Sequence, residues 1–470
     1  MNVNPITRLD YPDPDVIRVE DTYYMVSTTM HFMPGCEILQ SFDLVHWEHA
    51  TYVYETLDHT DAQQLKSGQN IYGQGMWAAS LRYHEGRFCI CFVANDTRKT
   101  YLYTSEKIDG PWKKQLIEGF YHDASLLFDE DGRNYIVYGN DEIWITELNE
   151  DLTAPKKDGL HRLLVSDHKN PELGYEGSHI QKINGYYYIF LIHSLRDRWM
   201  RTEACFYSDS LEGEFTGGDV LCDDRGYCGQ GVAQGGIVDT PDGKWYAMLF
   251  QDSGAVGRIP ILVPVTWKDH FPVFGQNGPV PEEIEVHSTR PGYIYQPLVG
   301  SDDFCNGLLP RWQFNHDPDP RYYHLDALQG TYTITTREVC TELTQAVNTL
   351  TQRMSYPSCA AEVTVDASAL KEGDVAGLCA LQSCYAAVGI TKHHGKYEVL
   401  MLDKKEDGIL DMTEGTVVES HQMDFRLEAD FCNMKDEARC YYRVNKGDWL
   451  PIGTVHKLYF KLDHFTGCRF

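Results

Sequence analysis

Residues 11–26 read YPDPDVIRVEDTYYMV. Asp13 stands between Pro12 and Pro14; a short apolar-containing strand follows, then a turn at Glu20-Asp21 and a strand rich in aromatics. Proline fixes its own φ and narrows the choices of the residue before it, so one carboxylate is held rigidly just ahead of a hairpin. Four more segments repeat the plan: WAASLRYHEGRFCICFVA from Trp77, DASLLFDEDGRNYIVYG from Asp123, EGSHIQKINGYYYIFLIH from Glu176 and QGGIVDTPDGKWYAMLFQD from Gln234. In these four a glycine falls nine residues after the first letter, at Gly86, Gly132, Gly185 and Gly243, and Thr22 takes that place in the first segment. EG, DG and NG ahead of an aromatic strand signal tight hairpins, whose turns require positive φ.

The segment starts lie 64, 46, 53 and 58 residues apart. That spacing leaves room for two further strands per unit and suits a propeller blade better than a strand–helix–strand unit. Helical periodicity is scarce. The expected fold is all-β: an N-terminal five-bladed β-propeller over residues 1–285, a Pro- and Gly-rich linker at 286–298, and an antiparallel β-sandwich over 299–470. In a propeller, equivalent positions of successive blades share one height around the axis. Asp13, Trp77, Asp123, Glu176 and Gln234 are therefore expected at one mouth of the central channel. Three carboxylates crowded together repel, and such crowding is kept where a perturbed pKa is useful; Asp placed at strand ends for turns alone is the plainer alternative.

Composition narrows the partners. The chain carries 69 acidic against 41 basic residues, a formal net charge of -28, which repels phosphate backbones and anionic headgroups. Nucleic acid and membrane surfaces are excluded as expected partners; self-association is left open. The opening MNVNPITRLDYPDPD has no basic then apolar leader pattern, and no apolar run reaches the ~18 residues needed to span a bilayer, so a cytoplasmic protein is expected. The fourteen cysteines show no zinc spacing and are read as free thiols.

A pair of carboxylates across a pocket is the equipment of glycoside hydrolysis: one protonates the leaving oxygen and the other activates water or attacks the sugar. A third carboxylate keeps the acid's pKa high by repulsion, an indole walls a sugar ring, and a cation such as Arg258, in GRIPILVPVTW, contacts substrate or balances charge; a surface strand arginine is the alternative for Arg258.

The stretches YPDPDVIRVEDTYYMVSTTMHFMPG, GQGMWAASLRYHEGRF, YHDASLLFDEDGRNYIVYG, GYEGSHIQKINGYYY and GRIPILVPVTW resemble glycoside hydrolase family 43, whose five-bladed propellers act on arabinose and xylose linkages. The resemblance covers essentially the whole chain. It implies Asp13 as general base, Asp123 as the carboxylate that orients and modulates, Glu176 as general acid, Trp77 as a sugar-facing wall, and Gln234 and Arg258 as substrate-binding residues. It also implies inversion, with the two carboxyl groups roughly 6.5–9.5 Å apart to admit a water. The implied substrate is an oligosaccharide from plant hemicellulose or arabinan, with a terminal α-L-arabinofuranosyl unit released and β-D-xylose as a second candidate; MHFMPG looks closer to the arabinofuranosidase-like branch. No cofactor is required. Many members carry a His where Gln234 stands, and Gln lacks the imidazole associated there with a central cation, so no metal ligand is assigned and a structural calcium is left in doubt.

The second half alternates in GTYTITT, CAAEVTVDA, YAAVGITKHHGKYEVLML and KLYFKLDHF, the mark of antiparallel strands with one wet face. It resembles the concanavalin-like, jelly-roll sandwich that follows the propeller in family 43 xylosidases and arabinofuranosidases, where it packs on the propeller. FTGCRF ends the sequence in mid-pattern, read as a truncation or a different closure. GYCGQGVAQGG is followed by a strand, so no helix N-terminus is offered to a phosphate, and DEDG at Asp129 is a hairpin turn rather than a calcium loop. His31, in TTMHFMPG, could line the pocket but reads better as a satisfied or surface residue. Two rivals are a propeller used only to bind sugar, and the fructan-hydrolysing group, whose Asn-Asp-Pro-Asn-Gly first blade is not present.

Overall fold

The computed structural model describes residues 2–276, 278–413, 415–462 and 464–470, with the side chains of residues 2 and 3 excepted. Among the described residues there is no α-helix, only four short 3-10 turns between strands, and no helix is long and apolar enough to cross a membrane.

The N-terminal half is a succession of five antiparallel sheets that follow one another along the chain, with Phe32–Met33 left out of the first. Sheet I contains Asp15–Val19, Thr22–Ser27, Gly35–Ser41 and Glu48–Tyr54. Sheet II contains Met76–His84, Arg87–Ala94, Lys99–Ser105 and Lys113–Ile117. Sheet III contains Ser125–Phe128, Asn134–Asn140, Glu142–Leu148 and His161–Ser166. Sheet IV contains Glu176–Ile183, Tyr186–Ser194, Arg201–Ser208 and Thr216–Leu221. Sheet V joins Val232–Ala233 and Ile237–Asp239 to Trp245–Asp252, Arg258–Lys268 and Phe271–Phe274.

The expected hairpins are present. Gly86, Gly132, Gly185 and Gly243 have φ of 77°, 83°, 86° and 80°. In the first hairpin the positive-φ residue is Glu20, at 55°, and Thr22 already belongs to the strand. Apolar layers fill every gap between neighbouring sheets. Ile38, Leu81 and Phe92 lie between sheets I and II; Cys91, Leu126 and Ile136 between II and III; Val137, Ile180 and Ile189 between III and IV; Phe190, Ala247 and Ile261 between IV and V. Val16, Leu39, Met248 and Leu262 join sheet V back to sheet I. Because both faces of a sheet are covered, the middle strands read as nearly continuous apolar runs. YYYIFLIHS and WYAMLFQD are buried along almost their whole length.

The C-terminal half behaves differently. Ser358–Asp366, Gln422–Asp430, Glu437–Arg443 and Leu450–Lys457 form one sheet; Val375–Ala380, Ala386–His393, Lys396–Lys404 and the short Leu410–Met412 and Thr416–Val418 form the other. In Gln422–Asp430 every second residue is buried, as one wet face demands. Val388, Ile390, Met401, Phe425 and Leu427 make the shared core, where truncating Phe425 to Ala would cost about 3–5 kcal/mol.

The halves are joined by more than a linker. Ala255, Val256 and Ile259 of the N-terminal half lie in that same core. Phe32–Met33 pairs with Gln313–Asn315, which pairs with Leu350–Thr351. Residues 465–470 run back between the halves: Cys468 N donates to Ala255 O at 2.8 Å and Phe470 N to Gln352 O at 3.0 Å.

Candidate functional site

Three of the five column residues share an uncommon backbone. Asp13, Asp123 and Gln234 have φ of 52°, 47° and 61°, the left-handed region that costs most non-glycine residues about 1–2 kcal/mol. Asp13 and Asp123 stand just ahead of the first strand of their sheets and Gln234 directly after Val232–Ala233, where left-handed backbone breaks the alternation of side chains along a strand. For Asp13 the restriction imposed by the flanking prolines therefore resolves into a left-handed kink.

Asp13 is buried and fully paired. Its Oδ1 accepts from Arg258 Nη1 at 2.5 Å and its Oδ2 from Thr28 Oγ1 at 2.6 Å. Arg258 is buried as well, which rules out the surface reading; its Nε donates to Asp252 Oδ1 at 3.3 Å, and Asp252 Oδ2 accepts from Arg201 Nε at 2.5 Å. Asp13, Arg258, Asp252 and Arg201 thus form a chain of alternating charge. The Arg258 guanidinium also lies 3.8 Å from the centroid of Phe465 and 4.5 Å from that of Phe250. Burial opposes charge on Arg258, but Asp13 and Asp252 outweigh it and hold its pKa above the ordinary value.

Across the site Asp123 and Glu176 are less well served. Asp123 Oδ2 accepts from Gly177 N at 3.1 Å, and Glu176 Oε2 from Asn140 Nδ2 at 2.7 Å. His122 Nε2 stands 3.6 Å from Asp123 Oδ2 and 3.5 Å from Glu176 Oε2, with no well-formed hydrogen bond to either. Burial pushes the Asp123 carboxyl up to about 6; His122 opposes this, while Glu176 and Asp13 add repulsion. For Glu176 burial also acts upward, yet His122, Arg201 and Arg258 outweigh it and the carboxyl lies below its usual value. Burial disfavours charge on His122, but Asp123 and Glu176 raise it to about 9. The two carboxylates influence each other's titration; Asp123 is the more easily protonated of the two, and an imidazolium stands beside both.

His122, Asp123 and Glu176 each offer one atom within 4.8 Å of the others, the spacing of ligands around a cation. A cation there would have to displace the imidazole proton. At the place where the resemblance puts an imidazole, Gln234 N donates to Glu203 Oε2 at 2.7 Å, and its side chain lies so close to Gly177 that a Cβ there would come within 2.7 Å. Without that imidazole the donor set does not fit the family's central cation.

Trp77 forms the wall between these groups, its ring 6.0 Å from His122 and 5.6 Å from Phe465, edge-on to both. His31 is not on the surface and is satisfied at one nitrogen only. It is buried against Phe32, Tyr72 and His316 at 4.2, 4.6 and 4.8 Å; its Nδ1 accepts from Gly73 N at 3.3 Å, while its Nε2 has no hydrogen-bond partner. Asp129 is a turn residue, its carboxylate occupied by Lys182 and Tyr187.

The sequence reading missed four contributors. His122 directly precedes Asp123, and Asp252 faces Arg258 in the Trp245–Asp252/Arg258–Lys268 hairpin, so both had a local signal. Arg201 and Phe465 had none, because only the tertiary fold brings them to the column.

Comparison with known proteins agrees with this chemistry. The sequence model described as Glycosyl hydrolases family 43 matches residues 3–272, and that of the Beta xylosidase C-terminal Concanavalin A-like domain matches 301–470. A beta-xylosidase of Formosa agariphila is 27% identical over 463 residues, covering 85% of this chain and 76% of its own. A non-reducing end alpha-L-arabinofuranosidase of Bacteroides ovatus is 24% identical, covering 87% of this chain and 79% of its own. Among solved structures, a bifunctional GH43-CE protein of Bacteroides eggerthii superposes with a TM-score of 0.92 at 41% identity, covering all of this chain; the chain spans 60% of that protein's length. The chain belongs to glycoside hydrolase family 43 and carries the concanavalin A-like domain of the β-xylosidases over residues 301–470.

Proposed function

We propose that the chain is an exo-acting, inverting glycosidase that releases terminal α-L-arabinofuranose from hemicellulose- or arabinan-derived oligosaccharides, with β-D-xylose as a second glycone. In this reading the five sheets are the blades of a five-bladed β-propeller, residues 1–285, joined through 286–298 to a sandwich at 299–470, and the column opens at one mouth of the channel. One observation carries the mechanism: a carboxylate held by two short bonds, Asp13, shares a site with a carboxylate pair whose pKa values are pushed apart, Asp123 upward and Glu176 downward.

Asp13, which accepts from Arg258 and Thr28, draws a proton from water as that water attacks the anomeric carbon. The glycosidic C–O bond breaks on the opposite face, and the departing oxygen takes a proton from Glu176. Of the acidic pair Asp123 is the more easily protonated and Glu176 the less, so a proton must reach Glu176 as the sugar enters; Asp123 and His122 are the groups that let it move. No step uses a metal. Trp77 and Phe465 supply apolar surface for the sugar face.

Initial rates on 4-nitrophenyl α-L-arabinofuranoside and 4-nitrophenyl β-D-xylopyranoside, with the product anomer followed by NMR, test the proposal. Arabinose released faster, with inverted configuration, is expected. Retention would overturn the mechanism, a faster xyloside would make β-D-xylosidase the main activity as the Formosa relative's name suggests, and sugar binding without turnover of either would leave a carbohydrate-binding propeller.

A further inference from the structure

We infer that Asp10 is a positioning residue for the reaction proposed above, on which this inference rests: its carboxylate fastens the C-terminal segment carrying Phe465 onto the strand carrying Arg258. Asp10 is buried. Its Oδ1 accepts from Arg258 N at 2.8 Å and its Oδ2 from Gly467 N at 2.7 Å, so one carboxylate spans the first residue of the Arg258–Lys268 strand and the segment from the far end of the chain. Its backbone oxygen accepts from Arg353 Nε at 2.7 Å, and Arg353 pairs with Glu37 at 2.8 Å, which anchors Asp10 from the sandwich side as well.

Two glycines clear the space this requires. A Cβ on Gly257 would come within 2.1 Å of Asp10 Oδ1, and one on Gly467 within 2.0 Å of Val256 O and 3.1 Å of Asp10 Cβ. The consequence reaches the reacting groups. Phe465, two residues before Gly467, covers the Arg258 guanidinium and meets the edge of Trp77, and Arg258 holds Asp13. Nothing in Asp10 touches the sugar in this arrangement. Its role is to keep a wall from one half and a cation from the other in register.

The test is a double-mutant cycle in the full chain. Asp10→Asn keeps the shape but replaces one acceptor with an amide donor facing a backbone N–H. We expect kcat/KM on the aryl arabinofuranoside to fall about 30-fold, whereas in a Phe465→Ala background the same change costs at least about fivefold less, since residues acting through one contact are non-additive. Equal costs in both backgrounds would overturn the inference, because a purely structural Asp10 would act without regard to the Phe465 ring. Should Asp10→Asn fail to fold, Gly467→Ala pushes the segment away while leaving the carboxylate in place. It should reproduce the loss and its dependence on Phe465, and wild-type kcat/KM in Gly467→Ala would equally overturn the inference. A wild-type chain inactive on both aryl glycosides would instead refute the proposed function.

Discussion

The carboxylates of the site meet buried negative charge in opposite ways. Asp13 receives two short bonds, one of them from a guanidinium that is itself braced by Asp252. Asp123 and Glu176 share an imidazolium at 3.5–3.6 Å and have one neutral donor each, Gly177 N and Asn140 Nδ2, while Arg201 and Arg258 act on Glu176 electrostatically. Burial and the repulsion of Glu176 and Asp13 push Asp123 up to about 6, whereas Asp13 is met by a short ion pair to Arg258. In the proposed mechanism that difference separates a base from an acid with the same functional group.

Removing the paired carboxylate should have the largest effect. Asp13→Ala is expected to lower kcat by about 10,000-fold, and added azide should restore turnover as a glycosyl azide of inverted configuration; a variant with wild-type turnover would end the base assignment. In the acidic pair, Glu176→Ala should cost about 1,000-fold on a natural disaccharide but only about 10-fold on an aryl glycoside whose leaving group needs little protonation. Equal losses on both would move the acid role elsewhere, with Asp123 the first candidate. Arg258→Lys keeps a charge but cannot span Asp13 and Asp252 together, so a loss of about 100-fold is expected in kcat/KM on either aryl glycoside; a change under about threefold would show that the brace across Asp252 is dispensable.

The smallest effect sharpens the contrast most. His122 lowers both carboxylates on its side. His122→Asn removes that cation, so their pKa values rise, the acid stays protonated to higher pH, and the alkaline limb of the pH–rate profile moves upward with about a 10-fold loss at the optimum. A downward shift would mean that the imidazolium donates the proton itself.

The strand-and-turn plan was legible because each hairpin carries its own signal: a positive-φ glycine and an aromatic strand recur in four of five units, and the first letters of those units name the column. Alternation in CAAEVTVDA likewise announced an antiparallel strand, and Ser358–Asp366 alternates between exposed and half-buried residues. The reading failed where local rules do not reach. His31 looked like an ordinary loop histidine, yet Phe32, Tyr72 and His316 enclose it, two of them far away in sequence. The local propensity of Asp13 gave no hint of left-handed backbone, which survives because Arg258 and Thr28 hold the carboxylate from distant strands.

By itself, then, the sequence determined the strands, the turns, the family and the residue types at the column, since periodicity and turn chemistry are local properties. Only the tertiary structure decided which charges are balanced. It joins Asp13, Arg258, Asp252 and Arg201 in one chain of charge, sets His122 beside Asp123 and Glu176, and returns Phe465 from the end of the chain to cover the guanidinium. The pKa of a buried group depends on distances of a few ångströms between residues hundreds of positions apart, and no local pattern encodes those distances.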